Sequence, residues 1–307
     1  MFYKNKSVFL LLLICLAIRL PFSIFYIEDI DSLRFALSAI DYNVMEQRPH
    51  FPGYPLYCFF LKISYIITGS IGLSFSFLGG ISIFLIALFS KKIIQLYSKQ
   101  DTFELITIVI FIPLFCLMGN RYMPDIMGLS VLLISVFFFL EFINNKNKKS
   151  LFLCFFFIGL EVGIRVSYIP FFLPFLLLLI KHPKAFLLSV FFFFIGLFIW
   201  LIPFVIDIGY QELIQTAINN TNGHFNDWGG GVMSDDGSYY LRFTKMIESI
   251  WADGIGGYWK NRHWLTIVLS FGWIAFLTIG IYHFFKNRFL KIKKGASILL
   301  LCLFTYL

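Results

Sequence analysis

Residues 185–206 read AFLLSVFFFFIGLFIWLIPFVI, an unbroken apolar run with no charged side chain. A helix of about 20 such residues crosses a hydrocarbon layer of about 30 Å. Runs of the same character lie on either side, at Ser7–Ile27, Ile71–Ser90, Phe103–Gly119, Ile126–Phe142, Leu151–Val166, Ser167–Ile180 and Trp264–Phe285. A further stretch, Ala296–Leu307, is too short to span and reaches the last residue, so the chain is expected to stop inside a helix of a longer protein. With 59% of its residues hydrophobic, 41 Phe and only 14% charged, the chain carries more apolar surface than one soluble core hides. These features predict an all-α polytopic membrane protein, a single domain over residues 1–307 with about 8–9 transmembrane helices.

The formal charge of +8 has a cheaper explanation than nucleic acid. Lys4 and Lys6, Lys91, Lys92 and Lys99, Lys146, Lys148 and Lys149, Lys181 and Lys184, and the basic run from Lys286 to Lys294 fall in the N-terminal tail and in every second loop. Cytoplasmic loops carry an excess of Lys and Arg, so these segments are placed inside. The loops at 28–70, 120–125, near Arg165 and at 207–263 then face out of a plasma (inner) membrane. The N-terminus has the basic-then-apolar order of a signal peptide. No small-residue cleavage site follows it, so it is read as a retained first helix. Cys15, Cys58, Cys116, Cys154 and Cys302 show neither metal-type spacing nor a disulfide framework.

Both large outer loops are expected to carry interfacial helices. In the first, Leu33, Ala36, Leu37 and Ile40 recur at helical spacing, which predicts an amphipathic helix over Ser32–Ile40 with Asp31 as its N-cap. After the turn Pro52-Gly53-Tyr54-Pro55, the apolar stretch Leu56–Ile66 suits a second interfacial helix. The other loop opens with the helical segment GYQELIQTAI and continues through a Gly-, Asn- and Asp-rich run that predicts turns and a flap.

Ionisable groups at a membrane boundary are costly and mark candidate sites. Glu28, Asp29 and Asp31 crowd three carboxylates into four residues, which favours a general base, although the same groups also serve as a helix cap and solvated surface. Arg48 and His50 beside the Pro-Gly turn offer an anion-binding pair or ordinary interfacial anchors. Arg121 and Asp125, in GNRYMPD, bracket a helix start, where Asp125 would be favourable as a cap or serve as a ligand. Arg165 either pairs with Glu161 one turn earlier or faces a lipid phosphate, and Arg19 poses the same choice within the first span. His224, in HFNDWGG, is a candidate to cover a substrate from the second loop.

The order of motifs, D-S-L-R-F-A-L at Asp31–Leu37, P-H-F-P-G-Y-P-L-Y at Pro49–Tyr57, R-Y-M-P-D at Arg121–Asp125 and G-I-R-V-S-Y-I-P at Gly163–Pro170, resembles the GT-C membrane glycosyltransferases. It is most similar to bacterial members near the protein mannosyltransferases and the lipid A aminoarabinose transferase. The resemblance covers about residues 7–206 well and 207–263 loosely. It departs from the usual pattern at Ser32, where many members have Glu, and at Phe51, where they have Pro. It implies a GT-C-like helical bundle that moves a sugar from a polyprenyl-phosphate donor to a lipid, glycan or protein acceptor on the extracytoplasmic face, with inversion. Asp31 would be the base, with Asp29 as the fallback. Arg48, His50, Arg121, Asp125, Arg165 and His224 would hold the substrate and its phosphate. No cofactor beyond the lipid-linked sugar is implied, and a divalent metal is compatible with the motifs. The rival readings are a flippase or transporter for lipid-linked glycans, a polymerase of such glycans, or a catalytically silent assembly partner.

Overall fold

A computed structural model describes residues 2–97, 106, 109–223, 238–286 and 297–303. Among them the regular structure is all helical, with no strand, and the one β-bridge joins Asn43 to Arg48. The helices are α1 (Phe2–Arg19), α2 (Ile30–Ile40), α3 (Pro55–Thr68), α4 (Ile71–Gln95), the short α5 (Pro113–Met118), α6 (Asp125–Asn145), α7 (Lys148–Val162), α8 (Leu173–Leu179), α9 (Pro183–Ile208), α10 (Tyr210–Asn222), α11 (Tyr239–Glu248) and α12 (Leu265–Lys286). Four of the described helices are long and apolar enough to cross a membrane: α4, α6, α9 and Leu265–Tyr282 within α12.

Glycines set the helix spacing. A methyl group on Gly79 would fall 1.7 Å from the Gly119 carbonyl oxygen, and one on Gly159 or Gly196 would fall 2.2 Å from the facing helix backbone. Such close approach lets apolar helices hold together by van der Waals packing, where lipid supplies no hydrophobic drive. Gly159 meets Gly196 and Gly163 meets Trp200, so α7 and α9 run parallel. The intervening residues must therefore carry the chain back along the bundle. They do so as a 3-10 helix, Val166–Phe172, followed by α8. A 3-10 helix rises about 2 Å per residue against about 1.5 Å for an α-helix, which stretches a short segment over the distance required. The return leg is pinned to the core by the stacking of Phe175 on Phe139 at 3.9 Å.

The expected span at Phe103–Gly119 is not one helix. Residues 103–105, 107 and 108 lie outside the described set, and beyond them the helix breaks at Phe111 and restarts at Pro113. Proline lacks the N–H that would continue the ladder. Arg19, only 1% exposed, donates from Nη2 to the Ile110 carbonyl at this break at 2.9 Å. Its burial is thus a packing role.

The segments before α4 and between α5 and α6, α7 and the 3-10 helix, and α9 and α10 gather at one end of the bundle. Tyr122 donates to the Ile24 carbonyl, Leu56 N–H to the Gly163 carbonyl, and Gly53 packs against Phe204. The basic residues Lys91, Lys92, Lys146, Lys148, Lys149, Lys181 and Lys184 fall at the opposite helix ends.

Candidate functional site

α2 starts with Asp29, whose Oδ1 accepts the Ser32 N–H at 2.7 Å. The cap is therefore Asp29 and not Asp31, and the helix starts two residues before the expected Ser32. Asp31 lies in the first helical turn. One side of α2 buries Phe35, Ala36 and Ala39 against α3, while Leu33, Leu37 and Ile40 stay exposed. Ala36 thus belongs to the core face and not to the outer stripe.

The chain then folds into a tight turn that presents His50. Asn43 and Arg48 exchange backbone hydrogen bonds, and the peptide bonds before Pro49 and Pro52 are cis. Gly53 has φ +85° and sits so close to Val44 and the Tyr42 hydroxyl that any Cβ would collide at 2.8–2.9 Å. Only glycine meets both demands. Arg48 is consumed in this turn: it pairs with Asp41 at 3.1 Å and Glu46 at 2.5 Å.

A cleft of about 890 Å³ opens here, lined by Asp31, Arg34, Gln47, His50, Tyr54, Asn220 and Thr221 among others. α10 leaves α9 through Gly209 at φ +93° and brings Asn220 and Thr221 to its wall. Asp31, with a side chain 41% exposed, takes Arg34 Nη1 on Oδ1 at 3.1 Å. His50 Nδ1 stands 3.5 Å from the same oxygen, in ion-pair reach but beyond a hydrogen bond. His50 Nε2 is 3.2 Å from the Tyr54 hydroxyl. Burial lowers the His50 pKa and raises that of Tyr54. A neutral imidazole with its proton on Nδ1 then accepts from the Tyr54 O–H and points N–H towards Asp31. The Arg165 guanidinium lies over the Tyr54 ring at 5.9 Å and donates to Asp125 Oδ1 at 2.9 Å. A chain of polar groups thus runs Asp31, His50, Tyr54, Arg165, Asp125.

Asp125 opens α6, where a carboxylate suits the positive end of the helix dipole. Of the two alternatives for Arg165, the pairing with Glu161 does not form, and Arg165 pairs with Asp125 instead. Glu161 is fully buried, and both its carboxylate oxygens lack a hydrogen-bond partner among the described residues. Gly128 explains the crowding, since a Cβ there would meet both Arg165 and Glu161 within 2.9 Å.

Arg121 and Asp29 belong to a second cluster. Arg121 bonds Glu28 at 2.9 Å and Asp29 Oδ2 at 2.8 Å, stitching residues 28–29 to the segment before α6. The Ser32 N–H first, and then the Arg121 guanidinium, hold the Asp29 carboxyl below the usual carboxylate range. Arg121 lines a separate, more apolar cleft of about 840 Å³ beside Phe22, Ile24 and Leu117.

Of the candidate residues, Asp31 and His50 line the polar cleft, with Arg165 and Asp125 behind Tyr54. Asp29, Arg48 and Arg121 are tied into local ion pairs, and His224 lies outside the described residues. Sequence reasoning overlooked Arg34 and Gln47, which bond each other at the cleft wall. Arg34 was legible, three residues after Asp31 on one helix face. Gln47 carried no signal. Among the described residues no cluster of His, Cys, Asp and Glu has the makings of a metal centre. No family model matches the chain, and neither a curated protein nor a solved structure matches it.

Proposed function

We propose that the protein is a membrane glycosyltransferase of the GT-C kind, which moves a sugar from a polyprenyl phosphate to an acceptor hydroxyl at the extracytoplasmic surface. The placement outside rests on the basic helix ends lying opposite the cleft. The observation that carries the reading is the position of Asp31: its carboxylate borders a cleft of about 890 Å³ with Arg34, His50 and Tyr54 around it.

In the reaction the acceptor hydroxyl oxygen attacks the anomeric carbon, and the bond from that carbon to the phosphate oxygen breaks. The electron pair leaves with the polyprenyl phosphate, and the hydroxyl proton passes to Asp31. A phosphate leaves as a stable anion, so the site needs one base and positive charge or donors for the departing oxygen. Arg34 and Arg165 supply the charge and the N–H donors, while Tyr54 and His50, bonded to each other, align Asp31. Displacement from the face opposite the phosphate inverts the anomeric centre. Asn220, Thr221 and Gln47 offer neutral partners suited to sugar hydroxyls.

The test is direct. Purified protein in lipid nanodiscs, given a polyprenyl-phosphate sugar with and without a soluble or lipid acceptor, is expected to release polyprenyl phosphate. Binding of the donor without release, for every sugar and acceptor tried, would refute transfer in favour of carriage of lipid-linked glycans.

A further inference from the structure

α11, Tyr239–Glu248, packs little of itself against the protein. Tyr239 is 90% exposed, Tyr240 77% and Phe243 56%. At about 100° per residue, Tyr239, Tyr240, Phe243, Met246, Ile247 and Ile250 fall within one arc of about 120°. The opposite side carries Lys245, with Thr244, Glu248 and Ser249 around it and Leu241 as its one large apolar side chain. An arc of this width would ordinarily be buried against a core. Here its large side chains are open, and the described residues leave the arc uncovered.

The position of α11 identifies what covers it. Its C-terminal end runs into the turn Ser249–Gly254, and this turn is tied to the beginning of α12. Trp251 Nε1 donates to the Tyr258 carbonyl at 3.1 Å, and the Tyr258 N–H donates to Ser270 Oγ at 2.6 Å. A Cβ on Gly256 would lie 3.5 Å from Leu269. The Leu265–Tyr282 part of α12 is itself long and apolar enough to cross a membrane, and its side chains are almost all exposed. α11 is therefore held at the level where a spanning helix enters the bilayer, with Tyr258 bonded to the turn that follows it and Trp264 just before α12. Tyr and Trp collect at this level, and a helix with an aromatic arc and a mostly polar opposite side suits the interface.

We propose that α11 is a membrane-surface anchor whose aromatic arc is seated in the headgroup–acyl boundary of the lipid bilayer, next to the first turns of α12. The inference is independent of the glycosyl-transfer reading. It is tested on the full chain in nanodiscs of phosphatidylcholine and phosphatidylglycerol, in a Cys116→Ser background, because Cys15, Cys58, Cys154 and Cys302 are buried. Bimane is attached to Phe243→Cys, to Tyr240→Cys as a second reporter should the first variant misfold, and to Lys245→Cys. The Phe243→Cys and Tyr240→Cys labels are expected to lose most of their fluorescence to lipids brominated near the headgroup. They keep it with lipids brominated at the chain ends, and Lys245→Cys keeps it with both. Equal quenching at Phe243→Cys and Lys245→Cys, or none at either, overturns the proposal. So does oxidative cross-linking between two copies through Phe243→Cys without lipid quenching, which would make the arc a contact between protomers.

Discussion

Asp29 and Asp31 stand on the same turn of chain, yet their carboxylates are engaged in opposite ways. Asp29 gives one oxygen to the Ser32 N–H and the other to Arg121. Asp31 directs one oxygen at Arg34 and His50, and its other oxygen has no protein partner among the described residues. A carboxylate with both oxygens committed to backbone and guanidinium holds structure. One with an oxygen left over beside a cleft is available to take a proton.

The sharpest way to break this contrast is a pair of isosteric changes. Asp31→Asn is expected to reduce sugar transfer by a factor of roughly 10²–10⁴ with the fold intact, the usual loss when a general base is removed. Asp29→Asn is expected to keep most of the activity, because Asn caps helices about as well as Asp. Steady-state turnover of both purified variants decides the matter. An inactive Asp29→Asn beside an active Asp31→Asn would reverse the assignment.

Next in size is the arginine behind Tyr54. Arg165→Ala is expected to lower turnover by roughly 10²–10³, the scale for losing one donor to a developing anion. The companion Asp125→Asn should do less, since it leaves the cation in place. If Asp125→Asn proves the more damaging in turnover assays, the ion pair holds the helices together and does not serve the phosphate.

Smaller again is the floor of the site. Gly128→Ala sets a methyl 2.8 Å from Arg165 Cβ and 2.9 Å from Glu161 Oε1. Overpacking of this kind costs about 1–3 kcal/mol, read as a lower thermal midpoint in detergent, and activity should fall with it as Arg165 is pushed aside. The smallest effect concerns acid. The folded Asp29 carboxyl titrates below its unfolded value of about 4, so its contribution is present above that pH and is lost as pH falls through the lower folded value. Asp29→Asn should flatten this part of the acid-unfolding curve, as followed by far-UV circular dichroism.

Much of the architecture was legible because lipid restricts the choices: long apolar runs became α4, α6, α9 and α12, α2 stands close to where periodicity put it, and α3 and α10 fall on the apolar stretch Leu56–Ile66 and the segment GYQELIQTAI. The misreadings have local causes. Pro113 divides a run that hydropathy alone joins. The cap of α2 moved to Asp29 because a side chain two residues further back still reaches the Ser32 N–H. The partner of Arg165 was not readable at all, since Asp125 lies on another helix and Glu161 sat at a plausible spacing. Arg34 was within the motif that drew attention to Asp31 and was passed over, although its i, i+3 spacing fits the pair that forms. Sequence spacing reports neighbours along one helix and says nothing of which ends of different helices meet.

The 3-10 return leg at Val166–Phe172 has a consequence for how this chain tolerates changes in length. With about three residues per turn, one added residue rotates everything after it by about 120° and turns Phe172 and Phe175 off the core. Three added residues restore the phase but lengthen the leg by about 6 Å. The helices on either side cannot follow, because Gly159 and Gly196 lock them in register. Neither kind of insertion is neutral there. A segment that looks like a connection is a ruler, and it measures the distance from Arg165 to the far side of the bundle.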